Sequence, residues 1–504
     1  MSASEADTGG GGERVAISVG GRVGHTMLSG AGASWHSIVE PTVSAGGSAF
    51  GGCPPPAPRN EKLWSSVERH AAWLGLSFIR AEIDWRQWQP ERGVYTWDSD
   101  GMRILFRILD WSQRHGADVM LQSMWANVGW LAFPEYRSDP AAIQTSAPAD
   151  LDAFARGWVS LLRELRARRG YTCIRWVCLV NEPNYYWWLI PPDTGASRNL
   201  PRQARYLGEA LRRVRGALKK ARIPVRILGP DYTDLPVIGR LSAEPWWAHV
   251  DDVDFHSYCS CFDWEDPDAQ VASGSYRMGE RLERTLSRYR RVTSREGKGL
   301  MLTEAGTQTY GYKADSEMPG CFKASLKDTE LLVRTLNLGI DAYNHWSLVN
   351  RGDQDGQWQL VDTWDRQWKR WMPEAAPHRD SYYVLGLALR HLPKNAQVLE
   401  TEVEGGVVRG VPRVWACAAR SPRDGSLSLI IVNDAQRPWD ARLSTDTSRG
   451  PFYQLVSVPG GNPARAVRYR KATSKDGAIL TRLPPFSLTI LTDARLPEHG
   501  PGRF

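Results

Sequence analysis

The 504-residue chain contains no apolar run long enough to span a bilayer, so no membrane partner is expected. Cysteine is sparse and odd in number, at seven, and no CxxC pair has a partner pair, which argues against structural zinc. Cys173 and Cys178 fall in an apolar, strand-like run, the usual setting of a small buried thiol. The start, MSASEADTGGGGER, has no basic segment followed by an apolar one and reads as a disordered tail. With the cysteine usage, this predicts a reducing, cytoplasmic setting. A Gly-rich phosphate turn after the first strand is also missing, which argues against an open dinucleotide-binding sheet. Acidic residues recur at no ligand spacing, so neither a metal nor a cofactor is expected.

A net charge of +7 raises the question of nucleic acid. The most basic stretch, YRMGERLERTLSRYRRVTSRE at 276–296, interleaves acids with its arginines. An amphipathic outer helix with a solvated face has this composition, so no nucleic-acid partner is expected.

What the chain has in excess is tryptophan, with 23 residues. Several stand in loop-like contexts, among them Trp85, Trp88, Trp125, Trp130, Trp187, Trp188, Trp346, Trp358 and Trp364. A flat apolar face with a polar N–H suits a sugar ring. The competing reading is that about half of them fill a large core.

Strand-like runs alternate with amphipathic helical windows eight times. The strands are expected at 27–34, 77–82, 117–124, 174–181, 225–230, 252–258, 299–304 and 340–347. Helices are expected near 60–75, 100–115, 149–169, 200–222, 235–250, 275–296, 324–338 and 378–391. In the third helix Leu151, Phe154, Trp158, Leu161, Leu162 and Leu165 share one stripe. Runs apolar on both faces are what parallel strands covered by helices require. The pattern predicts a (β/α)8 TIM barrel over 24–392. Beyond Leu392 the texture becomes short and strand-rich, which predicts a C-terminal β-sandwich over 393–496. Residues 1–13 and 497–504 read as tails, and a strand within 14–23 is a candidate to join the sandwich.

In such a barrel the chemistry sits at the C-terminal ends of the strands. Strand two offers Arg80 and Glu82, strand three Trp125 and Asn127, and strand four Asn181 and Glu182. Strand six offers His256 and Tyr258, strand seven Glu304, and strand eight Trp346. Two glutamates facing one bowl are what glycosidic cleavage needs: one protonated to assist the leaving oxygen, the other ionised to meet the oxocarbenium-like carbon. Arg80 and Tyr258 are expected to hold Glu304 ionised, and Asn181 to contact a sugar hydroxyl. His256, Trp125, Asn127, Trp187 and Trp346 are candidate substrate contacts. Glu82 reads as a solvated or salt-bridged acid, Asp231 as a loop-turn residue, and Asp353 and Asp355 as turn residues able to bind hydroxyls.

Asn181-Glu182-Pro183 after an apolar strand, with Leu302-Thr303-Glu304-Ala305-Gly306 some 120 residues later, resembles glycoside hydrolase clan A. NEPNYYWW is similar to family 39, whereas GAGAS and the appended β region look more like family 30. The resemblance implies a retaining (β/α)8 enzyme with Glu182 as acid/base and Glu304 as nucleophile. It places Arg80, Tyr258 and Trp346 among the supporting residues. The expected activity is double displacement on oligosaccharides or glycosides, exo-acting in the manner of a β-xylosidase or β-glucosidase. The alternatives are an endo-acting polysaccharide hydrolase, a transglycosylase and a non-catalytic glycan-binding protein.

Overall fold

The computed structural model describes residues 14–37, 59–123, 128–185, 187–195, 197–233, 243–259, 275–307, 320–349, 358–365, 370–446 and 450–498. After the N-terminal strand β1 (Arg14–Thr26), eight strands close a parallel barrel in chain order. They are β2 (Gly30–His36), β3 (Phe78–Ile83), β4 (Asp118–Ser123), β5 (Ile174–Cys178), β6 (Arg226–Tyr232), β7 (Asp252–Cys259), β8 (Leu300–Thr307) and β9 (Ala342–His345). Closure is made by β9 against β2, with Gly30 opposite Ala342.

Among the described helices, α1 (Glu61–Trp73), α2 (Asp100–His115), α3 (Leu151–Leu162), α4 (Leu200–Ala221), α5 (Ser275–Arg295) and α6 (Phe322–Asn337) surround the strands. Local chemistry sets their starts: the side chains of Ser99, Asp150 and Asn199 accept hydrogen bonds from the backbone N–H of Met102, Ala153 and Arg202. Gly116 ends α2 at φ 70°, in the left-handed region that favours glycine.

Two layers fill the barrel. Phe78, Met120, Trp176, Cys178, Leu228, Met301 and Ala342 form an apolar plug. The two-residue period of a strand then carries polar side chains into the layer above: Arg80 and Glu82 follow Phe78, and Asp254, His256 and Tyr258 share one face of β7. Register shifts interrupt the pairing of β6 with β7 between Gly229 and Tyr232, and of β7 with β8 between Phe255 and His256. Such irregularities re-aim side chains, here those of Asp231 and Glu304.

The C-terminal region forms one ten-stranded sheet with β1 inside it. β1 pairs antiparallel with Gln397–Gly405 and parallel with Trp439–Thr445. In the strand Val414–Arg420, Val414, Ala416 and Ala418 join the sheet's own core while Cys417 and Ala419 join the barrel's core. The next strand, Leu427–Asn433, divides in the same way: Leu427, Leu429 and Ile431 face the sheet's core, Ile430 and Val432 the barrel's.

Two helical expectations are met in part, and a third falls partly outside the described residues. The window 149–169 is α-helical only to Leu162 and continues as a wider π turn through Arg168. The window 378–391 contracts to Leu385–Leu389. Of the window 235–250, residues 235–242 lie outside the described residues, and the described remainder includes a 3-10 turn at Trp247–His249. A hairpin of Val361–Asp365 and Arg370–Pro377, absent from the expected elements, packs beside α1.

Candidate active site

The strand β5 ends at Cys178, and the chain runs on through buried Leu179 and Val180 to Asn181 and Glu182. Glu182 adopts φ 41°, a left-handed conformation uncommon for a side chain of its kind. Its carbonyl accepts from the Tyr185 N–H, closing a tight turn. The loop is then tied to the end of β6: Asn184 Nδ2 donates to Thr233 Oγ1 at 3.0 Å, and the Thr233 N–H donates to Asn184 Oδ1 at 3.0 Å.

Arg80 organises the floor of the bowl. Its guanidinium, fully buried, donates to Glu304 Oε2 at 2.6 Å and to Asn181 Oδ1 at 2.6 Å. It also pairs with Glu82 at 2.7 Å and reaches Asp231 at 3.5 Å. Burial lowers its pKa, but Glu82, Glu304 and Asp231 together raise it above the ordinary arginine range. Trp346 lies over the guanidinium at 5.5 Å and beside the His36 ring at 4.9 Å. Glu82 is not solvated. It sits wholly inside, clamped between Arg80 and His36 Nδ1, the latter at 2.8 Å.

Glu304 receives a second donor from the Tyr258 hydroxyl at 2.5 Å. Burial pushes the Glu304 carboxyl above its ordinary range, with Glu182 adding to the rise, while His256 and Arg80 oppose it. Burial, reinforced by the Glu304 charge, keeps Tyr258 protonated and therefore a donor.

His256 links the two sides. Its Nδ1 lies 2.9 Å from Glu182 Oε1 and 3.6 Å from Glu304 Oε2. Its Nε2 lies 3.0 Å from Asp231 Oδ1. One acceptor or donor atom from each of Glu182, His256 and Glu304 falls within 4.8 Å of the others. That group, and Cys178 with Asp231 and Asp254, has the spacing to hold a cation among the described residues. In both, Arg80 or His256 already stands against the carboxylates as a positive partner.

The structure thus brings together Arg80, Asn181, Glu182, His256, Tyr258, Glu304 and Trp346. Trp125, Asn127, Asp353 and Asp355 lie outside the described residues. Trp187 is buried, and Trp188 packs against Phe154 and Tyr206 at ring-centroid distances of 6.2 and 6.3 Å. Among the described rings of this stretch Tyr185 faces solvent, with the Arg198 guanidinium 5.7 Å from its centroid. Trp85 and Trp88 are likewise core rings, not sugar platforms: their centroids are 4.2 Å apart, and Trp85 stacks on Phe154 at 5.0 Å. A loop position says little about an indole whose large apolar surface can still be buried beneath the loop.

Asp231 is the clearest correction. Expected in a loop turn, it lies in β6 with no solvent exposure and φ 60°. Gln122 Nε2 donates to its Oδ2 at 2.6 Å. The Gly-Pro-Asp sequence looks like a turn, and only the register shift in β6 aims this carboxylate into the barrel.

No protein-family model matches the chain, and no curated protein sequence does. Solved structures match its fold across nearly its whole length. A glycoside hydrolase family 30 subfamily 8 xylanase from Clostridium acetobutylicum aligns over 95% of this chain and 99% of its own, with TM-score 0.59 and 14% identity. The catalytic domain of a family 30 xylanase from Talaromyces cellulolyticus covers 95% and 100%, at TM-score 0.61 and 14% identity. A family 51 arabinofuranosidase from Xanthomonas axonopodis pv. citri covers 95% and 99%, at TM-score 0.60 and 13% identity. What the chain shares with these structures is the fold, here a closed barrel followed by a β region.

Proposed function

We propose that the protein is a retaining glycoside hydrolase, with Glu304 as nucleophile and Glu182 as acid/base. The observation that carries this reading is the approach of Glu182 and Glu304, whose carboxylate oxygens come within 4.8 Å at the mouth of the barrel. Carboxyl groups about 5–5.5 Å apart suit a covalent glycosyl-enzyme, whereas an inverting pair stands roughly 6.5–9.5 Å apart to admit water.

Each neighbour has a part in that chemistry. Arg80 and Tyr258 donate to the two oxygens of Glu304, favouring its anion and aiming it at the anomeric carbon. Arg80 also occupies Asn181 Oδ1, which leaves the amide NH2 to donate to a sugar hydroxyl. In the first step Glu304 forms a bond to the anomeric carbon as the glycosidic C–O bond breaks and Glu182 protonates the departing oxygen. In the second, water attacks that carbon, its proton returns to Glu182, and the Glu304 carboxylate is released.

For the substrate we favour exo-action on short oligosaccharides or glycosides. The similar solved structures named as xylanases and arabinofuranosidases direct the first trials to xylose- and arabinose-containing compounds. An endo reading is supported by the naming of one similar structure, from Clostridium papyrosolvens, as an endoxylanase. The test is a panel of aryl glycosides and of xylo-oligosaccharides of increasing length. Glu304→Gln should abolish hydrolysis, and Glu182→Ala should regain turnover with azide and a good leaving group. Full activity in either variant refutes the assignment, and release of a single sugar from one chain end separates exo from endo action.

A further inference from the structure

Beneath the two glutamates lies a buried polar group that the double displacement does not itself use. Asp231 touches His256 Nε2 at 3.0 Å, Gln122 Nε2 at 2.6 Å and the Arg80 guanidinium at 3.5 Å. Its own N–H donates to Asp254 Oδ1 at 2.7 Å. Asp231, Asp254, His256 and Gln122 are inaccessible to solvent. A carboxylate in that position orients an imidazole and fixes which nitrogen faces which partner. Here it leaves Nδ1, 2.9 Å from Glu182 Oε1, as the nitrogen turned to the proposed acid/base.

We propose that Asp231 is a positioning residue that acts on Glu182 through His256, holding one proton in the Glu182–His256 pair for delivery to the leaving group. The inference rests on the glycosidase reading of the same site. The proton moves along the 2.9 Å contact: it leaves His256 Nδ1 for Glu182 and passes to the glycosidic oxygen as that bond breaks, leaving the imidazole neutral and Glu182 anionic. Water attacking the glycosyl-enzyme then returns one proton to the pair, so the cycle balances.

The surrounding charges agree. The groups facing the ring are Glu182 after β5, Glu304 on β8 and Asp231 on β6, with Arg80 on β3 and Asp254 on the ring's own strand meeting it through Asp231. Burial pulls His256 towards neutrality, but Glu304 and Asp231 outweigh it and hold the ring well above the ordinary histidine range. Burial likewise opposes the Asp231 anion, and His256 and Arg80 restore it. Burial and the Asp231 charge raise the Asp254 carboxyl well above its ordinary range.

Two measurements test this. In Asp231→Asn the alkaline limb of kcat/KM should move down by about two pH units, because a charge that favours the protonated pair is gone. KM should change by less than about threefold. In His256→Gln the added Asp231→Asn change should shift the limb no further. A merely structural Asp231 would lower kcat and leave the limb in place, which overturns the proposal. The second measurement is ring-nitrogen NMR of wild type, with His256 assigned by its loss in His256→Gln. An imidazolium persisting at pH 8 supports the proposal, and a neutral ring there overturns it even if Asp231→Asn does not fold. A protein that cleaves no glycoside fails the functional reading alone, since the NMR titration still reports where the proton is held.

Discussion

The Tyr258 hydroxyl donates to the Glu304 carboxylate at 2.5 Å. Removing a donor to the charged form favours the neutral one. In the proposed double displacement the Glu304 anion is required, so activity should be lost as pH falls through its pKa, which burial raises. Tyr258→Phe should therefore move the acid limb of kcat/KM upward by about one pH unit, a hydrogen bond to a charged group contributing about 1.5–3 kcal/mol. A pH–rate profile of the variant checks both sign and size. Legibility at this scale was uneven. Glu182 and Glu304 could be read because their motifs end apolar strands. Asp231 could not, because its aim depends on a register shift between β6 and β7.

Glycine shows how an element admits its neighbours. In β2 a side chain at Gly32 would place its Cβ 1.6 Å from the Phe78 carbonyl oxygen, a backbone atom of the adjoining strand. Gly32 pairs with Phe78 in register, so neither strand can yield without opening the barrel. Gly32→Ala should cost about 3 kcal/mol or more, seen as a lower urea midpoint or loss of soluble protein. The GAGAS run showed small residues in a strand, and for Gly32 this contact is the reason. Strand order was legible because eight apolar runs alternated with helical windows. The helix expected over 378–391 fell short, being α-helical only over Leu385–Leu389.

The barrel and the ten-stranded sheet meet along α6. Asn337 Nδ2 donates to the Ala416 carbonyl at 2.9 Å, and the Arg334 guanidinium lies 4.2 Å from the Trp415 ring centroid. Near this seam Asp434 pairs with Arg413 at 3.2 Å. Burial pushes Asp434 up to about 7, with Glu330 adding to the rise against Lys327 and Arg413. A carboxyl raised in the folded state contributes stability that is full below its unfolded value, about 3.9, and is lost as pH rises through about 7. Between pH 5 and 8, stability of Asp434→Asn relative to wild type should improve by about 2–3 kcal/mol, measured by denaturant titration at both values. An unchanged difference would mean that Asp434 is ionised throughout.

By itself the sequence determined the kind of fold, because apolar periodicity is a local record of which faces must leave water. It also singled out the two glutamates proposed as the catalytic pair, since a carboxylate ending a core strand stands out from the apolar run before it. The tertiary structure alone decided which tryptophans became core, because burial depends on what covers a loop and not on the loop's composition. It alone decided that Asp231 and His256 would stand under the glutamates. That arrangement arises from the alignment of β6, β7 and β8, whose pairing brings together residues far apart in the chain.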